Sequence, residues 1–349
     1  MSDLHDVAKY IFINQEGEFR SGWRVLAFFI CFIVCAALLF SLTRAFATLF
    51  PSFAFLVIEP SSEFINSDVL IYLGVGNARN LAAAALSSAI CARILERRAF
   101  GSIGFRFHRD WARDFVLGSV MGASALAIVV GIGVGFGALG FDVLTRNWKS
   151  LLAGFLVTSA FFVIAGATEE LLFRGFPFQA LVHNLGDARA ITITSILFGL
   201  AHISNPSAST FSTINTVLAG AWLGLAYLRT RSLWLPTGLH WSWNFAMVFI
   251  FGLPVSGFTT LGQLSWLRGT AGEPAWVSGG SYGPEAGLAA TAGLLLSTVA
   301  IYKSGLFSAS EEMLAAIKHG KREPEFVRVT PTEDGPSVSA AELNSSERE

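Results

Sequence analysis

An uncharged apolar run, 151–167, ends in Thr168-Glu169-Glu170-Leu171-Leu172-Phe173-Arg174. Ionisable groups placed in or near hydrocarbon cost about 3 kcal/mol each even on lenient insertion scales, so two adjacent carboxylates there point to chemistry before structure. Two histidines occur in later apolar segments, His202 in FGLAH and His240 in GLHWSWN. On a helix, Glu170 and Arg174 stand four residues apart and can pair. Glu169 is then turned about 100° away and needs another partner, for which the two histidines are the candidates. His202 follows Phe198 by four residues, and His240 precedes Asn244 by four, so each pair shares a helix face. A carboxylate and a histidine around a water can activate it as a nucleophile, while a second histidine and an amide can donate to a developing oxyanion. That combination describes hydrolysis of an acyl bond.

The elements that must position these groups are membrane helices. The chain has 349 residues, 53% hydrophobic and only 14% charged. A soluble domain carries about 25% charge, and a mean hydropathy of +0.56 belongs to a polytopic membrane protein. A net charge of −1 suggests no nucleic-acid partner. Cys31, Cys35 and Cys91 all fall in apolar segments, with neither a disulfide framework nor a cysteine-based zinc spacing. The expected fold is all-α, with about eight transmembrane helices enclosing an intramembrane cavity, at roughly 25–48, 69–92, 115–139, 151–172, 190–203, 211–228, 233–252 and 287–303. The fifth run is short, which is tolerated where protein rather than lipid surrounds it. The glycine-rich run 131–140 contains small-xxx-small spacings and predicts close helix packing.

Positive charge predicts the orientation. Arg20 and Arg24 precede the first run, the loop 51–68 has no Lys or Arg, and the next connection holds Arg93, Arg97, Arg98, Arg106, Arg109 and Arg113. Continued along the chain, this alternation puts both termini in the cytoplasm and the carboxylate pair near the cytoplasmic end of its span. The expected organisation is a cytoplasmic segment 1–24 without a signal-peptide apolar core, helices over 25–142, a catalytic core 143–252, an outer loop 253–286, a last span 287–303 and a cytoplasmic tail 304–349. The tail has a short helix capped near Ser308 and Glu311 and is otherwise polar enough to be expected disordered. The outer loop, with Trp266, Trp276 and Tyr282, is expected at the membrane interface. If the fifth span begins near Arg189, His202 lies about 20 Å along it, deeper than Glu169. The site then closes only if that span starts deep or tilts, or if the fourth span extends into the cytoplasm. The loop 175–189 is expected to fold into the cavity.

Taken in order, EExxxR (Glu169, Glu170, Arg174), FxxxH (Phe198, His202) and HxxxN (His240, Asn244) resemble the three motifs of the CPBP family, the CAAX proteases and bacteriocin-processing, Abi-type enzymes. Each motif alone is weak, and the resemblance covers about 150–252. It implies an intramembrane endopeptidase acting on a membrane-associated peptide or protein substrate, prenylated and CAAX-type or bacteriocin-like. By the same resemblance Glu169 is the general base assisted by His202, His240 and Asn244 form the oxyanion hole, and Glu170, Arg174 and Phe198 shape the site. The cofactor is left as none or a divalent metal such as zinc, for which Glu169, His202 and His240 would form a two-histidine, one-carboxylate set with an open position. The expected location is a bacterial inner membrane.

Other readings stay open. A catalytically silent scaffold or bacteriocin-immunity protein would tolerate loss of Glu169. A transporter would show an internal repeat, and the sequence has none. Asn77, Arg79 and Asn80 lie inside the second run, where the bland expectation is an internal network. The speculative one is recognition of a substrate carboxylate by Arg79. Pro236 beside Gly238 predicts a break or kink beside His240. His183 is expected to be exposed. His5, His108 and His319 fall in polar segments and carry no expected role.

Overall fold

A computed structural model describes residues 11–14, 17–58 and 66–318. Each of the eight apolar runs becomes a helix: α1 (Ser21–Leu49), α2 (Ser67–Leu95), α3 (Trp111–Gly135), α4 (Trp148–Phe173), α6 (Asp187–Ala201), α7 (Thr210–Thr230), α8 (Trp234–Phe245) and α9 (Leu288–Lys303). Shorter helices include α5 (Phe176–Leu185) and α10 (Glu311–Lys318). His5, His319 and most of the tail lie outside the described residues.

Local sequence sets several boundaries. The Asn66 side chain accepts from Val69 N–H to start α2, Asn147 accepts from Ser150 N–H to start α4, and Ser209 and Ser212 form a reciprocal cap on α7. Five segments are long and apolar enough to cross a membrane: α1, α2, α3, α4 continued through α5, and α7. The expected eight spans are therefore eight helices, of which α6, α8 and α9, at 15, 12 and 16 residues, are too short to be counted by length. Fifteen residues rise about 22 Å, against a hydrocarbon core of about 30 Å. For α8 the reason is that protein surrounds it: Leu235, Leu239, His240, Ser242 and Trp243 are all buried. α1 is the opposite case. Its Ile33, Leu38 and Leu42 are 64%, 58% and 67% exposed, an apolar face turned to lipid.

The closest helix contact pairs α3 with α8. A Cβ on Gly118, Gly122 or Gly238 would stand 2.3, 2.3 or 2.2 Å from atoms of the facing helix. The glycines that sequence spacing singled out do not do this. Gly131, Gly135 and Gly137 face open space, and Gly133 meets only Leu139 of its own chain turn. The third run also ends earlier than expected. Leu139–Val143 forms strand β1, paired antiparallel with β2 (Leu267–Ala271) from Leu139↔Ala271 to Val143↔Leu267. This small sheet is an addition to an otherwise helical fold. It ties the 253–286 segment to the α3–α4 connection.

The 175–189 loop is a helix as well. Gly175 breaks α4 where a Cβ would lie 2.4 Å from the Leu171 carbonyl oxygen, Pro177 opens α5, and Gly186 at φ +82° closes it. Its Phe176, Phe178, Ala180 and Leu181 are buried, and Phe178 packs edge-on to Tyr227. The apolar face, not a cavity-lining loop, decides the conformation. α5 adds about 15 Å of helix beyond α4. α6 can therefore begin beyond the end of α4 and return to bring His202 alongside Glu169.

Candidate active site

Glu169 and Glu170 occupy the last turn and a half of α4 and diverge as their 100° separation requires. Glu170 and Arg174 are both fully buried, with Arg174 Nη1 donating to Glu170 Oε1 at 3.3 Å and Nη2 to the Gly220 carbonyl at 3.0 Å. The Arg174 guanidinium carbon stands 4.4 Å from the Phe198 ring centroid, so Phe198 separates it from the cavity side of the site. Phe198 also packs edge-on to Phe173 at 5.1 Å and against the His202 ring at 4.7 Å.

The two imidazoles are each anchored through Nδ1. His202, at the end of α6, donates to the Phe198 carbonyl at 2.7 Å. His240, on α8, donates to Glu170 Oε1 at 2.9 Å. A carbonyl and an arginine-paired carboxylate only accept, so both Nδ1 atoms carry protons and both Nε2 atoms are left facing Glu169. Each Nε2 is 3.8 Å from Glu169 Oε2. That oxygen is buried and has no hydrogen-bond partner within the described protein. A separation of 3.8 Å is too long for a hydrogen bond and leaves room for one water touching the carboxylate and an imidazole.

Among the described residues, no three His, Cys, Asp or Glu side chains are gathered to hold a metal ion. Oxygen and nitrogen donors on one zinc lie about 3.3 Å apart, given bonds of about 2.0–2.1 Å in a tetrahedron. Glu169 Oε2 stands 3.8 Å from each imidazole Nε2, wider than that spacing.

A cavity of about 580 Å³ opens in front of these groups. Glu169, Phe198, His202, His240 and Asn244 all line it. Asn244 stands one turn beyond His240 on the same face of α8. Pro236 and Gly238 lie within α8 without breaking it, Gly238 being required by the Phe115 carbonyl of α3. Arg79 does not line the cavity. Its guanidinium carbon lies 5.1 Å from the Phe40 ring centroid, on the α1 side of α2. Asn77, two residues earlier, does line it and donates to the Phe161 carbonyl at 3.2 Å. His183 is exposed, as expected.

The far wall is a surprise from sequence. Ser256, Thr260 and Glu285, from the segment expected at the outer interface, line the same cavity. Glu285 accepts from Trp243 Nε1 at 3.3 Å, from Ser256 N–H at 2.5 Å and from the Ser256 hydroxyl at 3.0 Å. Asn215 of α7 donates to the Glu285 and Gly287 carbonyls at 2.8 and 3.0 Å. Tyr282 is buried rather than interfacial, and burial together with the Glu285 charge raises its pKa. Trp266 and Trp276 remain about half exposed, at 47% and 54%. No sequence signal marked Glu285; an acid just before an apolar run reads as an ordinary helix start.

His108 is also not where its polar neighbours placed it. It is buried, 3.1 Å from the Ser232 hydroxyl, 3.5 Å from Asp114 and 3.4 Å from the Ser310 hydroxyl that precedes α10. Burial lowers its pKa, with Asp110 and Glu312 opposing and Arg106 adding to the shift.

Helices α4 to α8 surround this buried carboxylate and histidine set. Residues 147–246 match the Rce1-like family, described as type II CAAX prenyl endopeptidase Rce1-like. The match contains every residue of the three motifs and excludes Asn77, Ser256 and Glu285. No curated protein and no solved structure matches the chain. The chain is an integral membrane protein with a segment, 147–246, similar to that family.

Proposed function

We propose that the protein is an intramembrane endopeptidase that hydrolyses a peptide bond of a membrane-associated substrate through water activated by Glu169. The observation that carries this reading is the buried, unpartnered Oε2 of Glu169 at 3.8 Å from two imidazole nitrogens, each ring fixed by its opposite nitrogen. In the reaction, Glu169 takes a proton from a water that His202 Nε2 also holds, and the hydroxide attacks the scissile carbonyl. His240, when it carries a proton on Nε2, and the Asn244 amide donate to the tetrahedral oxyanion. Glu170 and Arg174 position His240 from behind and do not touch substrate. The cavity walls supply an apolar bed for the peptide and keep bulk water out. In this reading the active site opens toward the cytoplasm of a bacterial inner membrane with both termini on that side, as the arginine distribution supports.

The test is cleavage of a quenched, prenylated CAAX-type peptide and a quenched bacteriocin-leader-like peptide by purified protein, compared with Glu169→Gln. Cleavage lost in the variant supports the reading. Equal cleavage by both proteins removes Glu169 from the mechanism. Cleavage by neither favours a catalytically silent scaffold. Repeating the assay with chelator reads any contribution of metal.

A further inference from the structure

A second pocket lies where the connection between α2 and α3 meets α10, apart from the carboxylate and histidine site. It encloses about 420 Å³, a size that suits a small ligand. Arg97, Arg98, Arg106 and Glu312 are the charged residues of its lining. Three guanidinium groups against one carboxylate leave an excess of positive charge.

The way these charges are met separates fixed cations from available ones. Arg98 is 9% exposed, donates through Nη1 to Gln179 Oε1 at 2.9 Å and pairs through Nη2 with Glu96. Glu96 also pairs with Arg24 at 3.0 Å, so one carboxylate serves two cations. The Gln179 amide, on α5, donates to the Ser102 and Ile103 carbonyls at 3.1 and 2.6 Å and fixes the connection in place. The buried Nε–H of Arg98 has no acceptor among the described residues. Arg97 and Arg106 are exposed, and neither side chain has an ion pair or hydrogen bond among the described residues. Arg97 is held at φ +53°, a conformation that non-glycine residues adopt at a cost.

The surroundings give the depth of the pocket. It lies between the end of α2 and the start of α3, two segments long and apolar enough to cross a membrane. Ile94 and Phe107, which flank the arginines in sequence, are 70% and 71% exposed, an apolar rim suited to lipid. Phe107, Trp111 and Trp234 form an aromatic cluster with centroids 4.9 to 5.2 Å apart, and Trp234 Nε1 donates to the Arg106 carbonyl at 2.9 Å. Such amphipathic aromatics mark the headgroup level of a bilayer.

We infer that this pocket is a phosphate-ester site whose ligand is the headgroup of an anionic lipid, with Arg97 and Arg106 pairing the phosphate and Arg98 as the fixed cation behind them. Guanidinium forks match phosphate oxygens in pairs, and basic pockets at the ends of membrane helices meet lipid phosphates first. Glu312 is the competing charge. It belongs to α10, which packs on the turn 100–103 with Met313 fully buried, so ligand and α10 share one wall.

The experiment titrates the purified protein in nonionic detergent with short-chain phosphatidylglycerol and reads the dissociation constant by calorimetry. Short-chain phosphatidylcholine keeps the acyl chains but carries no net charge. Glycerophosphoglycerol keeps the anionic headgroup without the chains. The expected result is saturable binding of phosphatidylglycerol, at least about tenfold tighter than either control. Arg97→Gln with Arg106→Gln weakens it at least about tenfold, as loss of charged hydrogen bonds requires. Glu312→Gln tightens it, a gain that misfolding does not produce. Arg93→Gln with Arg109→Gln, at exposed arginines outside the lining, leaves it unchanged. Equal weakening by the two arginine pairs means a diffuse basic face and overturns the pocket. Glycerophosphoglycerol binding as tightly as the lipid assigns the pocket to a soluble phosphate ester and overturns the lipid. Phosphatidylcholine binding as tightly, or no binding of any probe, overturns the inference. No readout involves cleavage, so the result stands apart from the peptidase reading.

Discussion

Three glutamates around one cavity are held in three different ways. Glu170 is sealed against a guanidinium and the His240 ring. Glu285 is wrapped by three neutral donors. Glu169 Oε2 has no hydrogen-bond partner in the protein and faces two imidazoles across a gap. The contrast between the inner corner and the outer wall shows that a carboxylate's role is set by what meets its charge. A cation turns it into scaffold, neutral dipoles turn it into a fixed field, and an open water-sized gap makes it available as a base.

The largest expected difference tests that division directly. Glu169→Gln lowers kcat by about 10²–10⁴-fold, the usual contribution of a general base, while Glu285→Gln leaves cleavage of a neutral peptide within a few-fold. The reverse outcome would exchange the roles of the two ends. Asn244→Ala lowers kcat by about 10²–10³-fold with little change in KM, as for loss of one oxyanion donor; a change confined to KM would make Asn244 a binding residue. Arg174→Met acts on stability as well as rate. It leaves the buried Glu170 with only the His240 ring beside it, at a cost of up to about 3–5 kcal/mol, and lowers the unfolding midpoint in detergent. Glu285→Gln, by comparison, weakens only a few hydrogen bonds, at about 1–2 kcal/mol in total. Equal destabilisation by the two would mean that Glu285 is a structural latch of the same kind.

The smallest expected effect concerns the packed end of the chain beyond both regions. His108 is held with a lowered pKa, so the unfolded chain binds its proton first as pH falls. Its contribution is therefore present above pH 6.5, the ordinary histidine value, and fades as pH drops from there through the folded-state value. Asp110, Glu312 and Arg106 act on it by charge, and the buried Asp114 carboxyl lies 3.5 Å away. Protection factors of α10 amides, with exchange rates corrected for their intrinsic pH dependence, fall on acidification from pH 7.5 to 5 in the wild type and change less in His108→Gln.

The inner corner was legible because helix periodicity projects directly onto it. EExxxR, FxxxH and HxxxN are i, i+4 pairs, and all three behave as such: Glu170 pairs with Arg174, Phe198 holds His202 through its carbonyl and ring, and His240 and Asn244 line one wall. The outer wall was not legible because its partners are far apart in sequence. Ser256, Glu285 and Trp243 meet through a loop whose composition suggested only an interfacial position. Glycine placement failed for a related reason. Spacing marks where close approach is possible, while the facing helix decides where it happens, at Gly118, Gly122 and Gly238 rather than at Gly131 and Gly135.

The sequence by itself determined a polytopic helical membrane protein, its eight helical segments and the likeness of residues 147–246 to a known family, because apolar runs and four-residue spacings are local properties that the backbone must obey. Only the tertiary structure decided that α8 stays short inside protein, that α5 carries the chain far enough for His202 to reach Glu169, and that a remote loop returns Glu285 to the cavity. These follow from which surfaces meet in three dimensions, and hydrogen-bond satisfaction across long sequence separations leaves no periodic mark on the chain.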